Sequence, residues 1–288
     1  MRLRNSGGEK SIDIIHELIG FGDCIRPGLY KILSRFSKAV NYVRNGRLVS
    51  FVTEDVGNGP VNVVLKELNF QNINRVRITD KDIEIGKSRI ELIEHKKYDS
   101  SVTFKFINIP GFIKNLIYFK KIVLDTSSTK SFAFLLDEKR KEEFKSAFEK
   151  ALMNRVMKGW QEINKHNYEK GTRLIKGTGY GFTPGGDDFI SGFLSGLYFS
   201  KVAFGKDVSK IQELIYKESK TENIVSNNFI YCSFKGYFFE KTKNLIISLV
   251  EGGEKEIMTD ALKVLSPGET SGADFAAGLI GSIQEFYR

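Results

Sequence analysis

Five of the ten residues from Gly177 to Gly186 are glycine, in the run Gly177-Thr178-Gly179-Tyr180-Gly181-Phe182-Thr183-Pro184-Gly185-Gly186-Asp187-Asp188-Phe189. Glycine loses more backbone freedom on ordering than any other residue, so core packing does not account for such a run. The stretch that follows, Phe189-Ile190-Ser191-Gly192-Phe193-Leu194-Ser195-Gly196-Leu197, is apolar with small residues at four-residue spacing. It reads as a buried helix in close contact with a neighbouring element. A glycine loop feeding a helix start can turn amide N–H groups toward phosphate or carboxylate. Backbone amides of Gly177, Gly179, Gly181, Gly185 and Gly186 are the candidate donors, and Lys176 is a nearby cation. The run is neither a Walker loop, which ends in Gly-Lys-Ser/Thr, nor a strict dinucleotide fingerprint. Asp187 and Asp188 fall in the first helical turn, where the dipole favours carboxylates. An anion beside two carboxylates needs a protonated group or a metal between them, and Mg²⁺ is the one cofactor this suggests. The plain structural alternative is a tight turn with an aspartate cap.

A second loop repeats the pattern. Gly181-Phe182-Thr183-Pro184-Gly185-Gly186-Asp187 and Gly268-Glu269-Thr270-Ser271-Gly272-Ala273-Asp274 both obey G-x-T-x-G-x-D, and both lead into apolar, glycine-spaced runs. Two similar loop-to-helix turns facing each other across one pocket are the expectation. In that pocket the hydroxyls of Thr183, Thr270 and Ser271 donate hydrogen bonds. Asp187, Asp188 and Asp274 act as a general base or hold a metal through water. Neither cysteine has a base beside it in sequence, and the three histidines lie in no triad-like setting.

Composition narrows the class of protein. The chain has 288 residues, enough for two domains without disulfide or metal staples. It contains no apolar run of the length a membrane helix needs. The opening Met1-Arg2-Leu3-Arg4-Asn5-Ser6-Gly7-Gly8 has no apolar stretch behind its charges, so a secretory signal is not expected. Cys24 and Cys232 are too few and too far apart for a zinc motif, and a reducing cytoplasm is the expected setting. The net charge of +9 comes from 44 Lys+Arg against 35 Asp+Glu. The signs are interleaved, as in Asp137-Glu138-Lys139-Arg140-Lys141-Glu142-Glu143, and no nucleic-acid motif accompanies them. Such a surface suits a small anionic substrate better than a nucleic acid.

The elements that must carry these loops differ between the two halves. From Leu29 to Ile109 the pattern is extended. Asn45-Gly46 between Val40–Arg44 and Arg47–Val52 predicts a hairpin with a type I′ turn. Further alternation at Val76/Ile78, Ile83/Ile85, Ile90/Leu92 and Val102/Phe104/Phe106 predicts more strands with one buried face. From Asp137 to His166, apolar residues recur every three or four positions, predicting one long helix with Trp160 in its core stripe. Ser209–Ser219 and Glu254–Leu265 also carry helical spacing. The fold class is therefore α+β: a mostly antiparallel sheet or small barrel over residues 1–130, then a mainly helical domain over 131–288, parted by the turn Asp125-Thr126-Ser127-Ser128-Thr129.

The Gly177–Phe189 segment resembles the G-x-G-x-G-[LF]-T-P-x-G-D-D-F signature of the AllH-like proteins, whose named representative is a subunit of oxamate carbamoyltransferase. Ser37-Lys38-Ala39-Val40-Asn41, the hairpin and Gly57-Asn58-Gly59-Pro60 are similar to that family's amino-terminal half. Thr221 and Ser226, then Gly268–Asp274, are similar to its later blocks. Gly185 stands where the family pattern has serine, and Phe182 where leucine is usual. The resemblance implies a role in anaerobic allantoin (purine) breakdown. Oxalurate and phosphate would be exchanged for oxamate and carbamoyl phosphate by a complex of three different subunits. It adds Thr221, Ser226 and Gly272 to the substrate-binding candidates, and gives Asp187, Asp188 and Asp274 the carbamoyl nitrogen to orient. Two other functions compete: a non-catalytic anion- or nucleotide-binding subunit that docks on catalytic partners, and a small-molecule kinase using the glycine loop for nucleotide phosphates.

Overall fold

A computed structural model describes residues 17–105, 107–266 and 268–286. Compactness divides the chain into two units, residues through Asn45 with Val49–Tyr98, and Gly46–Leu48 with Asp99 onward. That division falls earlier in the chain than the Asp125–Thr129 turn.

The first unit is built on nine strands: β1 (Leu18–Gly22), β2 (Gly28–Arg35), β3 (Ala39–Arg44), β4 (Arg47–Thr53), β5 (Asn62–Leu65), β6 (Arg75–Ile78), β7 (Asp82–Ile85), β8 (Ser88–Glu91) and β9 (Lys97–Tyr98). They form one curled, half-barrel sheet in the order β8-β7-β6-β2-β3-β4-β5-β1-β9. The β3–β4 hairpin turns at Asn45 and Gly46, with φ of 49° and 75°, as a type I′ turn requires. Most neighbouring strands are antiparallel, but β4 pairs with β5, and β1 with β9, in parallel. The sheet is therefore mixed. Asn62 helps set β5 by donating its side-chain amide to the Gly57 carbonyl at 3.0 Å. The rings of Tyr42, Phe51 and Phe70 meet at 4.8–6.1 Å between centroids in the unit's hydrophobic core.

The second unit holds α1 (Ile109–Thr126), α2 (Ala147–Asn164), α3 (Tyr168–Ile175), α4 (Gly185–Phe204), α5 (Ser209–Glu218), α6 (Ile224–Lys235), α7 (Glu240–Glu251), α8 (Glu254–Leu265) and α9 (Ser271–Phe286). α5 and α8 fall where the helical spacing predicts them. Two expectations are corrected. The alternation at Val102 and Phe104 belongs to an irregular segment, and Phe106 lies outside the described residues. Val102 and Phe104 pack into the helical core, Phe104 edge-on to Phe199 at 5.7 Å. Alternation reports one-sided burial, which a coil lying on a helix layer satisfies as well as a strand does. The long helix expected from Asp137 begins instead at Ala147. Ser146 and Glu149 form a capping box there, closing the orphan N–H groups of α2 after a separate 3-10 turn at Glu138–Glu143. Phe144 is consequently buried ahead of the helix, and Phe148, placed in the stripe by spacing, is exposed. Trp160 packs edge-on against Phe189 and Phe193 of α4, as the stripe predicts.

α4 is buried nearly all round, which identifies it as the central helix of this unit. Its partner is α9, and the two run parallel. Gly185 lies against Asp274, Phe189 and Phe193 against Gly278, Gly192 against Phe275 and Leu279, and Gly196 against Leu279 and Ser282. The contacts advance together along both chains, so both N-termini sit at one end of the pair. The approach is close enough that glycine is required at its centre. A Cβ at Gly192 would lie 1.9 Å from the Phe275 carbonyl oxygen, and one at Gly278 2.0 Å from that of Phe189. No described helix is long and apolar enough to cross a membrane.

Candidate functional site

Because α4 and α9 are parallel neighbours, the two G-x-T-x-G-x-D loops that start them meet. Their aspartates occupy the first turn of each helix, and all three carboxyls are buried: Asp187 and Asp274 are each 1% exposed and Asp188 is 9% exposed. The N-terminus of α6 lies at the same place. Asn223 donates its Nδ2 to the Phe182 carbonyl of the first loop at 2.6 Å, and Ser226, in the first turn of α6, neighbours Asp187. Three helix starts thus surround one cluster of acids.

Each carboxyl has a different set of partners. Asp187 Oδ1 accepts from the Gly177 N–H at 2.8 Å and so ties the beginning of the glycine loop to α4. Its Oδ2 is buried, and the Ser226 hydroxyl, also buried, is the side chain beside it. Asp274 Oδ1 accepts from the Phe132 N–H at 2.6 Å, fastening the 3-10 turn Phe132–Leu135 to α9. Asp188 joins the two motifs. Its Oδ2 accepts from the Thr183 hydroxyl at 3.2 Å, and the Ser271 hydroxyl, at the start of α9, is its second side-chain partner.

Burial decides the charge of this cluster. Desolvation raises all three above the ordinary carboxylate range. For Asp187 the Gly177 N–H opposes the rise. Asp274 is pushed up to about 7, against the Phe132 N–H and the Thr270 hydroxyl. Asp188 goes furthest, to about 8, because the neighbouring Asp274 and Asp187 charges add to its desolvation. Burial and its acidic neighbours therefore favour the protonated form of Asp188, which can donate a hydrogen bond. Of the two ways to seat an anion beside these acids, the protonated group is the one this cluster supplies. Mg²⁺ does not fit. Asp187 and Asp274 each spend an oxygen on a backbone N–H, and among the described residues no group of three or more His, Cys, Asp or Glu is placed to hold a metal ion.

The remaining candidates separate into those at the cluster and those with structural work. Thr183, Ser271 and Thr270 border the carboxyls. Gly185 abuts Asp274, and Gly179 abuts the Gly185 N–H. Gly181 lies on the exposed side of the loop. The Gly186 N–H, expected to face an anion, is instead donated to the Thr178 carbonyl at 2.7 Å, and a Cβ there would lie 2.0 Å from the Ile175 carbonyl oxygen. The Gly177 N–H is likewise taken by Asp187. Gly272 permits close packing on α8, where a Cβ would lie 2.3 Å from the Val264 carbonyl oxygen. Thr221 shapes the turn before α6, its hydroxyl accepting from the Asn223 N–H at 3.2 Å and its N–H donating to Asn227. Lys176 donates to the Lys220 carbonyl at 3.1 Å. Sequence reasoning missed Phe132, which acts through its backbone and so leaves no side-chain signal. It also missed Asn223, although an asparagine two residues ahead of Val225 at the head of a helical run is a recognisable N-cap.

Family models match residues in each unit. The model of the AllH family N-terminal domain matches residues 11–99, and that of oxamate carbamoyltransferase subunit AllH matches residues 175–283, a span containing both loops and α6. No curated protein and no solved structure matches the chain. With both family models matched in order along it, the chain belongs to the AllH family.

Proposed function

We propose that this chain is the component of an oxamate carbamoyltransferase-type enzyme that holds a small carbamoyl-bearing anion where α4 and α9 begin. The observation that carries the reading is Asp188, a buried acid set between Thr183 of one motif and Ser271 of the other. Two parallel helix starts supply positive potential for a carboxylate or phosphate. A neutral Asp188 adds a donor in place of a repelling charge. In the transfer, a phosphate oxygen attacks the carbamoyl carbon of oxalurate, and the bond from that carbon to the oxamate nitrogen breaks. Asp188 gives its proton to the departing nitrogen and recovers one from the phosphate, so oxamate and carbamoyl phosphate leave with the acid restored. The other subunits complete the assembly, as the family's description as a subunit supports. Such a metabolite enzyme fits a cytoplasmic setting.

The test is reconstitution of the purified chain with the subunits encoded beside it. Asp188→Asn should assemble normally and lower carbamoyl phosphate formation by about 100-fold or more, the usual scale for a lost general acid. A second reading, a non-catalytic anion-binding subunit, draws on the structural bonds that occupy Asp187 and Asp274. Full activity in the Asp188→Asn complex, with activity still dependent on the chain's presence, would replace the first reading with the second.

A further inference from the structure

The three carboxyls are at most 9% exposed, so a ligand reaches them only when a covering segment moves. The glycine loop from Gly177 to Thr183 borders two of them, with the Gly177 N–H on Asp187 and the Thr183 hydroxyl on Asp188. Gly177, Tyr180, Gly181 and Phe182 are exposed. Gly179 and Gly181 hold φ of +107° and +98°, where a residue with a Cβ is strained and glycine pivots freely. The loop carries two rings into solvent, Tyr180 at 67% exposure and Phe182 at 46%, with Tyr180 lying 5.4 Å from the exposed ring of Phe148.

Asn223 grips the far end of this loop with one half of its amide. Nδ2 donates to the Phe182 carbonyl at 2.6 Å, while Oδ1 accepts from the Val225 and Ser226 N–H groups, both at 3.0 Å. The oxygen therefore caps α6 and the nitrogen holds the loop. The residue after the gripped carbonyl is Thr183, whose hydroxyl reaches Asp188.

We infer that Asn223 is a positioning residue, a latch that keeps the Gly177–Thr183 flap closed over Asp188 and whose release admits the small anion. Admission rests on the functional reading of Asp188, whereas the latch is a property of the chain without ligand. The two halves of the amide can be separated chemically. Asn223→Asp keeps an oxygen for the α6 cap and turns a second acceptor toward the Phe182 carbonyl. Asn223→Ala removes cap and latch together.

Amide hydrogen exchange of the full chain, read by mass spectrometry beside melting curves, tests this directly. In Asn223→Asp, peptides spanning Gly177–Thr183, whose Gly177 and Thr178 N–H groups are hydrogen-bonded in the closed flap, should exchange up to about tenfold faster, with α6 exchange and Tm unchanged. In Asn223→Ala, both the flap and the first turn of α6 should exchange faster. Wild-type flap exchange in Asn223→Asp overturns the latch, and so does equal acceleration across α4 and α6. Oxamate added to the same samples tests admission. Slowed exchange of the wild-type flap supports it, and unchanged exchange contradicts the Asp188 reading while leaving the latch to be judged on the ligand-free rates.

Discussion

Gly185, the first residue of α4, touches the carboxyl of Asp274 in the first turn of α9: a Cβ on Gly185 would lie 2.5 Å from Asp274 Oδ2. Residues 89 positions apart in the chain are thereby joined at the base of two parallel helices. The contact turns a repeated sequence pattern into one cluster of acids.

Close helix approach should govern stability along the α4–α9 seam. At Gly185 an added methyl meets the end of a side chain, but one pinned by the Phe132 N–H, so Gly185→Ala should cost about 1–3 kcal/mol. At Gly192 and Gly278 it would meet backbone carbonyl oxygen at 1.9 and 2.0 Å, which cannot swing aside. Either alanine there should cost about 3 kcal/mol or more in urea denaturation. Wild-type stability of Gly192→Ala would show that the helices do not approach this closely.

Stability should fall as the solution becomes more alkaline. Burial pushes Asp188 up to about 8 in the folded chain from 3.8 for the ordinary group, and Asp274 up to about 7. Between these values the folded protein keeps protons that the unfolded chain has released, so raising the pH favours unfolding. The stabilisation is complete below about pH 4 and is lost as pH passes through 7 and 8. Tm should therefore drop between about pH 5 and pH 8, and Asp188→Asn should flatten that slope. A Tm that rises over the same range would contradict the buried neutral acids.

Asp187 is expected to behave as a tie for the loop. Asp187→Asn retains an oxygen for the Gly177 N–H and should shift Tm by no more than a few degrees. Asp187→Ala leaves that N–H without its acceptor and should cost about 1–3 kcal/mol. Equal melting of the alanine variant and the wild type would remove the structural role.

Much of this was legible in the residues. The type I′ signal of Asn45-Gly46, the helical spacing of α5 and α8 and the core position of Trp160 follow from local chemistry, and the structure has them. The meeting of the two motifs was legible only as a repeated pattern, because convergence depends on the parallel packing of α4 on α9. Parallel pairing of β4 with β5 left no trace, since a four-residue strand buried on both faces reads alike in either direction. The Gly186 and Gly272 spacings look the same as those of an anion loop, yet both serve close backbone packing. Whether a glycine frees a ligand site or a neighbouring helix is settled by what lies across from it.

The joint use of both motifs is tested most directly by titration calorimetry of the full-length chain with oxamate, comparing wild type with Thr183→Val on one loop and Ser271→Ala on the other. Each variant removes one hydroxyl from Asp188 and should weaken binding by up to about tenfold, with Tm held within a few degrees. No binding by the wild type, or a loss confined to one of the two loops, would contradict a single site shared by α4 and α9.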